Sequence, residues 1–179
     1  MSNRNLFIGI TFIILLLMGC ASREPVCKIK CIPSSQVYEK GTGIAVWDFE
    51  ITSASGNVRM DPFLSGKIIQ NLIKEGHYDV ITRDRLLLLL EELNLDTSLL
   101  VDERTRLKLG QLVGAKLMVF GEIVEIICNQ MLIHLRLVEV ETAKILTTVE
   151  KYYDEAPANL SEWLKAVEEM TPELFEICR

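Results

Sequence analysis

The run KLMVFGEIVEIICNQMLIHLRLVEVETAKILTTV, residues 116–149, constrains the fold more than any other stretch of the chain. It reads as three consecutive strands. The first, 117–120, is continuously apolar and then passes through Gly121 into Glu122-Ile-Val-Glu. A short apolar run of this kind fits a strand covered on both faces. The second, 131–140, alternates: Ile133, Leu135 and Leu137 point one way, while His134, Arg136 and Glu139 break the apolar pattern around them. The third, 145–153, is rich in β-branched and aromatic residues. The connections, 128–130 and 141–144, are short. A parallel return needs a crossover of about a dozen residues, so neighbouring strands here must be antiparallel. The rest of the chain is expected to pack onto this meander.

Upstream, residues 44–50, IAVWDFE, form a first strand that is apolar on both faces up to Asp48. Residues 51–60, with Gly56-Asn57, read as a loop. Asp61-Pro62 starts a helix, with Asp at the cap and Pro at the first helical position. Leu64, Ile68, Ile69, Leu72 and Ile73 make its apolar stripe, closed by Gly76. Residues 78–81 form a short second strand. Thr82 is placed to cap a helix over 83–94, with Leu86, Leu89, Leu90 and Leu93 inward. Leu87 and Leu88 widen that stripe beyond what one sheet face requires. They are either buried under the neighbouring helix or part of a protein–protein surface. Asp102 caps a third helix, closed by Gly114, with Leu109, Leu112 and Val113 inward. The final segment is helical in two pieces, one capped by Ser161 and one restarted at Thr171-Pro172. The resulting order is β-α-β-α-α-β-β-β-α. This is an α/β fold, a single domain with a mixed sheet and helices packed on the sheet. A helix joins the first two strands, which suits a parallel pair with a right-handed crossover.

Residues 1–19 stand apart from that domain. Arg4 supplies a positive start, and the apolar run 6–18 is thirteen residues long. A spanning helix needs roughly 20, so this is a signal peptide. Leu17-Met18-Gly19-Cys20 resembles the bacterial lipoprotein box. The resemblance implies cleavage before Cys20 and acylation of its sulfur and new amino group. Ala21 after the cysteine implies sorting to the outer membrane, facing the periplasm. Each buried methylene contributes about 0.8 kcal/mol and one chain holds only marginally, so two or three chains on Cys20 would make a stable membrane anchor. Residues 20–43 read as a lipidated flexible tether, broken by Pro25, Pro33, Gly41 and Gly43. Cys27 and Cys31 lie in it. With Cys128 and Cys178 they make four thiols in a compartment that permits disulfides, and three pairings are possible. Cys27 with Cys31 is the local option. A lone C-x₃-C with two remote histidines is short of ligands for zinc. The α/β domain then runs over 44–155, followed by a C-terminal helical segment over 156–179.

Composition excludes some functions. A net charge of −6 argues against nucleic acid and against a polybasic membrane patch. His77 and His134 are the only histidines, and no serine sits in a nucleophile elbow. Gly41-Thr42-Gly43 precedes a strand, whereas a phosphate loop follows one. The expectation is a protein that is not an enzyme, with no cofactor, no metal and no small-molecule substrate.

Four segments in order carry a family resemblance: 44–50; 82–94 (TRDRL through EELN); 107–123 (LKLGQLVGAKLMVFGEI); and 134–146 (HLRLVEVETAKIL). Together they resemble the curli-secretion lipoprotein CsgG and its relatives, which include lipoprotein activators of penicillin-binding proteins and the amino-terminal domain of TolB. The resemblance spans roughly 43–153. It implies a non-catalytic assembly or accessory component of an envelope or curli-like secretion complex. Its partners would be envelope proteins, copies of itself in a homo-oligomer included. It leaves two alternatives: an activator of a peptidoglycan synthase, and a subunit of an oligomeric export channel. There are two departures. Ala143 stands where the hairpin of the family has Gly, and positive φ strains Ala in a two-residue turn, so a longer turn or one of another type is expected. The membrane-spanning hairpins of the curli channel are also missing, so the chain is not expected to form a pore alone.

Overall fold

The computed structural model of the protein describes residues 38–53, 58–93, 102–126 and 130–176. In chain order the elements are β1 (Gly43–Val46), β2 (Phe49–Thr52), β3 (Val58–Asp61), α1 (Pro62–Glu75), β4 (Asp79–Ile81), α2 (Arg83–Glu92), α3 (Glu103–Leu112), β5 (Leu117–Glu125), β6 (Met131–Glu139), β7 (Lys144–Tyr153) and α4 (Leu160–Glu173). The seven strands form one mixed sheet. The expected order holds, with two short strands added before the first helix.

β5 is the axis of the sheet. On one side it pairs antiparallel with β6, which pairs antiparallel with β7, so the meander is as expected. On the other side β1 and β2 lie end to end along it, both parallel to it. β4 extends the sheet beyond β1 in parallel, and β3 extends it beyond β2 in antiparallel. The run 44–50 is therefore not one strand, and 51–60 is not only a loop. Val46 faces Val119 while Glu50 faces Glu122, so the first strand spends one more residue than β5 over this interval. That is the signature of a bulge at 47–48. The bulge keeps Val46 and Phe49 on one face while Trp47 goes to the other. β5, nine residues long, outruns β1 and leaves an edge on which Phe49–Thr52 can pair.

Each sheet face has its own core. The first face carries Leu117, Val119, Ile133, Leu135 and Leu137 under α1 and α4. The second carries Met118, Phe120 and Val138 with Leu86, Leu90, Leu107 and Leu109 of α2 and α3. The continuously apolar start of β5 is thus buried on both sides. Gly121 follows it because no side chain fits there: a Cβ would lie 2.5 Å from the Phe49 ring.

The helices follow their caps. Asp61 Oδ1 accepts from the Phe63 and Leu64 amides at 2.9 and 3.2 Å, and Gly76, at φ 66°, ends α1. Leu64, Ile68 and Leu72 are buried, but Ile73 points outward at 58% exposure. Thr82 occupies the cap position of α2 without a side-chain cap bond. On α3, Leu107 and Leu109 are inward and Leu112 is outward, which corrects the expected face. The last helix is a single piece capped by Asn159, not two pieces capped by Ser161 and Thr171. Pro172 falls in its final turn, where it removes its own amide bond to the Glu168 carbonyl just before the helix ends, and the Thr171 hydroxyl donates to the Val167 carbonyl at 2.6 Å. Ala166, Val167, Met170 and Leu174 bury this helix in the first core, so 160–174 is part of the same body.

Between β6 and β7 the turn has four residues, and Ala143 holds φ 56° within it. The turn is longer than two residues, as expected, yet it still keeps alanine in the left-handed region. Thr142 bridges it, donating to the Glu139 carboxylate and accepting from the Lys144 amide.

Candidate interaction surfaces

Cys20, Cys27 and Cys31, and with them Cys128 and Cys178, lie outside the described residues. Leu87 and Leu88 do not act as a pair. Leu87 is half-buried against the second core, while Leu88 is 59% exposed. Leu93 and Leu112 also face outward from the α2 and α3 layer.

The chain enters the domain at a latched pole. The Tyr38 hydroxyl donates to Glu139 Oε1 at 2.8 Å, a contact between residues 101 positions apart in the chain. The Tyr38 carbonyl lies 3.2 Å from His77 Nε2, the Gly41 amide donates to the His77 carbonyl at 2.8 Å, and the Asp79 amide donates to the Thr42 carbonyl at 3.0 Å. Burial, and then the carboxylate it bonds, push the Tyr38 hydroxyl well above the ordinary tyrosine range. Hydrogen bonds from Thr142 and then from Tyr38 hold Glu139 below the usual glutamate value. The stretch expected to be free tether is therefore tied down from Tyr38 onward. Two clefts flank it. One, of about 350 Å³, has Lys40, Arg85 and Lys116 against Glu39 and Asp79. The other, of about 400 Å³, has Lys116 against Glu139 and Glu141. Both mix charges of opposite sign, so neither selects a cation or an anion.

A second surface lies on the face of the sheet under α3. Here the core stops at Phe120 on β5 and Val138 on β6. Beyond it, register aligns Glu50, Glu122, His134 and Glu150 as successive cross-strand partners over β2, β5, β6 and β7. The next row is Thr52, Val124, Leu132 and Tyr152. At the boundary α3 reaches down with two charged residues. Arg106 pairs with Glu50 and lies 5.5 Å over the Trp47 ring. Glu103 pairs with Arg136 at 3.2 Å, and the Arg136 guanidinium lies 5.6 Å over Phe120. Trp47 is 7% exposed and its Nε1 has no hydrogen-bond partner among the described residues.

His134 sits in the middle of this row, 3.9 Å from Glu150. Burial, then Arg136, lower its pKa, and they outweigh Glu150 and Glu122, which act to raise it. The ion pair is therefore not formed near neutral pH. The folded state resists a proton that the unfolded chain accepts near pH 6.5. Stability from this group is full above about pH 6.5 and falls as pH drops toward the lower folded value. Denaturant melts at about pH 7.5 and about pH 5.5 should show a stability loss that His134→Gln reduces.

Among the described residues, no group of three or more His, Cys, Asp or Glu is arranged to hold a metal ion, and no helix is long and apolar enough to cross a membrane. The arrangement offers surfaces and a latched entry point.

Comparison with known proteins bears on the same body. The family model described as curli production assembly/transport component CsgG matches residues 34–126, from the latch through β5. The fold is similar to the LpoB C-terminal domain of Salmonella enterica, with 15% identity, 67% of this chain and 87% of that chain covered, and a TM-score of 0.53. It is also similar to a subunit of the PelC dodecamer of Paraburkholderia phytofirmans, with 11% identity, coverage of 85% and 99%, and a TM-score of 0.55. At such identities these likenesses show the fold. No curated protein matches the sequence.

Proposed function

Since the chain belongs to the family of the curli production assembly/transport component CsgG, we propose that it is a non-catalytic lipoprotein that serves as an assembly or accessory component of an envelope or secretion complex. Cys20 carries the lipid, and the α/β body faces the periplasm from the outer membrane. The observation that carries this reading is the family match over a body entered at one latched pole from a lipobox-led segment. Cys27 and Cys31 form a local disulfide in that segment. Leu88, with its neighbours on the α2 and α3 layer, contributes to a protein contact, while Leu87 supports it from below. A homo-oligomer is favoured as the working state, because a PelC dodecamer is built on the same fold. The likeness to the LpoB C-terminal domain supports a second reading, an activator of a peptidoglycan synthase.

Cys20→Ser tests the anchor. The variant should leave the detergent phase for the soluble fraction after cell fractionation, while equal retention would end the lipoprotein reading. Affinity capture from envelope extracts, with the mass of the purified complex, separates the two roles. A ring-sized assembly supports the secretion component. A monomer that captures a peptidoglycan synthase supports the activator.

A further inference from the structure

Glu139 ends β6 and holds one hydrogen-bond donor on each carboxylate oxygen. Oε1 accepts from the Tyr38 hydroxyl, on the segment by which the chain enters the domain. Oε2 accepts from the Thr142 hydroxyl, in the turn between β6 and β7. The Thr142 oxygen accepts in turn from the amide of Lys144, which begins β7 and is the cross-strand partner of Glu139. Together these make one continuous chain of hydrogen bonds from the entry segment to the turn. Bonds in such a chain polarise one another, so losing one weakens the next. Between Thr142 and Lys144 sits Ala143 at φ 56°. A residue with a Cβ disfavours the left-handed region, so the turn is held against a conformational preference. The entry segment is itself tied in two stages. The Gly41 amide and the Thr42 carbonyl are held by the backbone of His77 and Asp79. Tyr38 is held by its own bond to Glu139 and by the contact of its carbonyl with His77 Nε2. Tyr38 can therefore leave while Gly41 and Thr42 stay in place.

We propose that Tyr38, Glu139 and Thr142 form a coupling device that transmits the position of the entry segment to the β6–β7 turn. In the latched state Tyr38 fixes one carboxylate oxygen of Glu139, which keeps the other aimed at Thr142. Thr142 then holds the Lys144 amide, and Ala143 stays left-handed between them. A pull on the segment before Tyr38, or a protein that engages it, withdraws the phenol. The Glu139 side chain is then free to rotate, Thr142 loses its fixed acceptor, and Ala143 relaxes out of positive φ. The turn takes a second conformation, although Gly41 and the sheet have not moved. Coupling of this kind is reciprocal: whatever holds the turn in its latched form also tightens the hold on Tyr38. The proposal rests on the lipid-anchor reading only for the source of the pull. The coupling itself lies wholly among described residues.

The test is amide hydrogen exchange followed by NMR on the full chain in neutral detergent. Tyr38→Phe keeps the ring, which packs against the first core, and removes only the hydroxyl. Exchange at the Lys144 amide should speed up roughly tenfold, the weight of one hydrogen bond to a charged group. The amides of Leu135 and Val149, in the middle of β6 and β7, should keep the parent rates. A hydroxyl that served only overall stability would speed all of these together. Thr142→Ala removes the intermediary, so adding Tyr38→Phe to it should change Lys144 little further. Ala143→Gly adopts positive φ without strain, so it should hold the turn without the phenol and shrink the effect of Tyr38→Phe. An unchanged Lys144 rate in Tyr38→Phe would overturn the proposal. So would equal acceleration at Leu135 and Val149, or a full effect of Tyr38→Phe that persists in the Thr142→Ala or Ala143→Gly background. The same rates are expected in a Cys20→Ser chain, so failure of the coupling and failure of the anchor are told apart.

Discussion

Leu135→Ala is expected to cost about 2–5 kcal/mol of stability, the range for a buried leucine whose cavity cannot fully collapse. Leu135 is 0% exposed in the middle of β6, with Gly121 opposite it on β5 and Val149 opposite it on β7. The sheet on both sides and the helices above prevent relaxation into the void. Val119→Ala removes fewer atoms from the same core and should cost less. Leu87→Ala should cost about 1 kcal/mol or less, because that side chain is only half-buried on the outer helix layer. Urea melts of the three variants provide the comparison. An equal or larger loss at Leu87 would mean that α2 contributes more to the core than its packing indicates.

Gly121→Ala should be comparably severe for the opposite reason. Its Cβ would meet three atoms of the Phe49 ring at 2.5–2.7 Å. Phe49 is 0% exposed, so the ring has nowhere to swing without displacing α1 or β2. Overpacking of this kind costs typically about 1–3 kcal/mol and sometimes more. Because one ring causes the clash, Phe49→Leu in the Gly121→Ala background should recover part of the loss. The two changes in contact should then be non-additive by about 0.5–3 kcal/mol. Purely additive melts of the single and double variants would mean that the glycine is required by its backbone and not by the ring.

The parts of the fold that followed from sequence are those governed by short-range rules. Connections too short for a crossover forced β5, β6 and β7 into antiparallel pairs, and Asp61-Pro62 with Gly76 bracketed α1. The parts that did not follow depend on partners distant in the chain. Phe49–Thr52 is a strand because β5 continues past β1 and offers it an edge. Gly56-Asn57 is a turn pair of the kind that joins hairpin strands, but the four-residue runs beside it, FEIT and VRMD, are too short and too mixed to declare themselves as strands. Leu112 and Ile73 satisfy helical periodicity yet face outward, since the position of the sheet, not the stripe alone, decides which side is covered. Pro172 reads as a break because a proline inside a helical pattern commonly ends or kinks it, whereas here the helix closes one residue later, at Glu173. The row of Glu50, Glu122, His134 and Glu150 depends on the register of four strands. Sequence offered only its trace, a polar residue interrupting each strand near its middle.

The latch at Tyr38 has a mechanical consequence. If Cys20 holds the lipid, the leash ends where Tyr38 meets Glu139 and not where β1 begins, leaving seventeen residues, 21–37, between anchor and body. Even fully drawn out they reach about 60–65 Å. The body is thereby confined to a thin layer above the membrane, and its local concentration for any partner in that layer rises steeply without a single additional contact. With a lipid on Cys20, freeing Tyr38 would lengthen the leash only as far as Gly41, whose amide is held by the His77 carbonyl, so the ties at this pole together would set how far the domain can search and which end it turns toward the lipid.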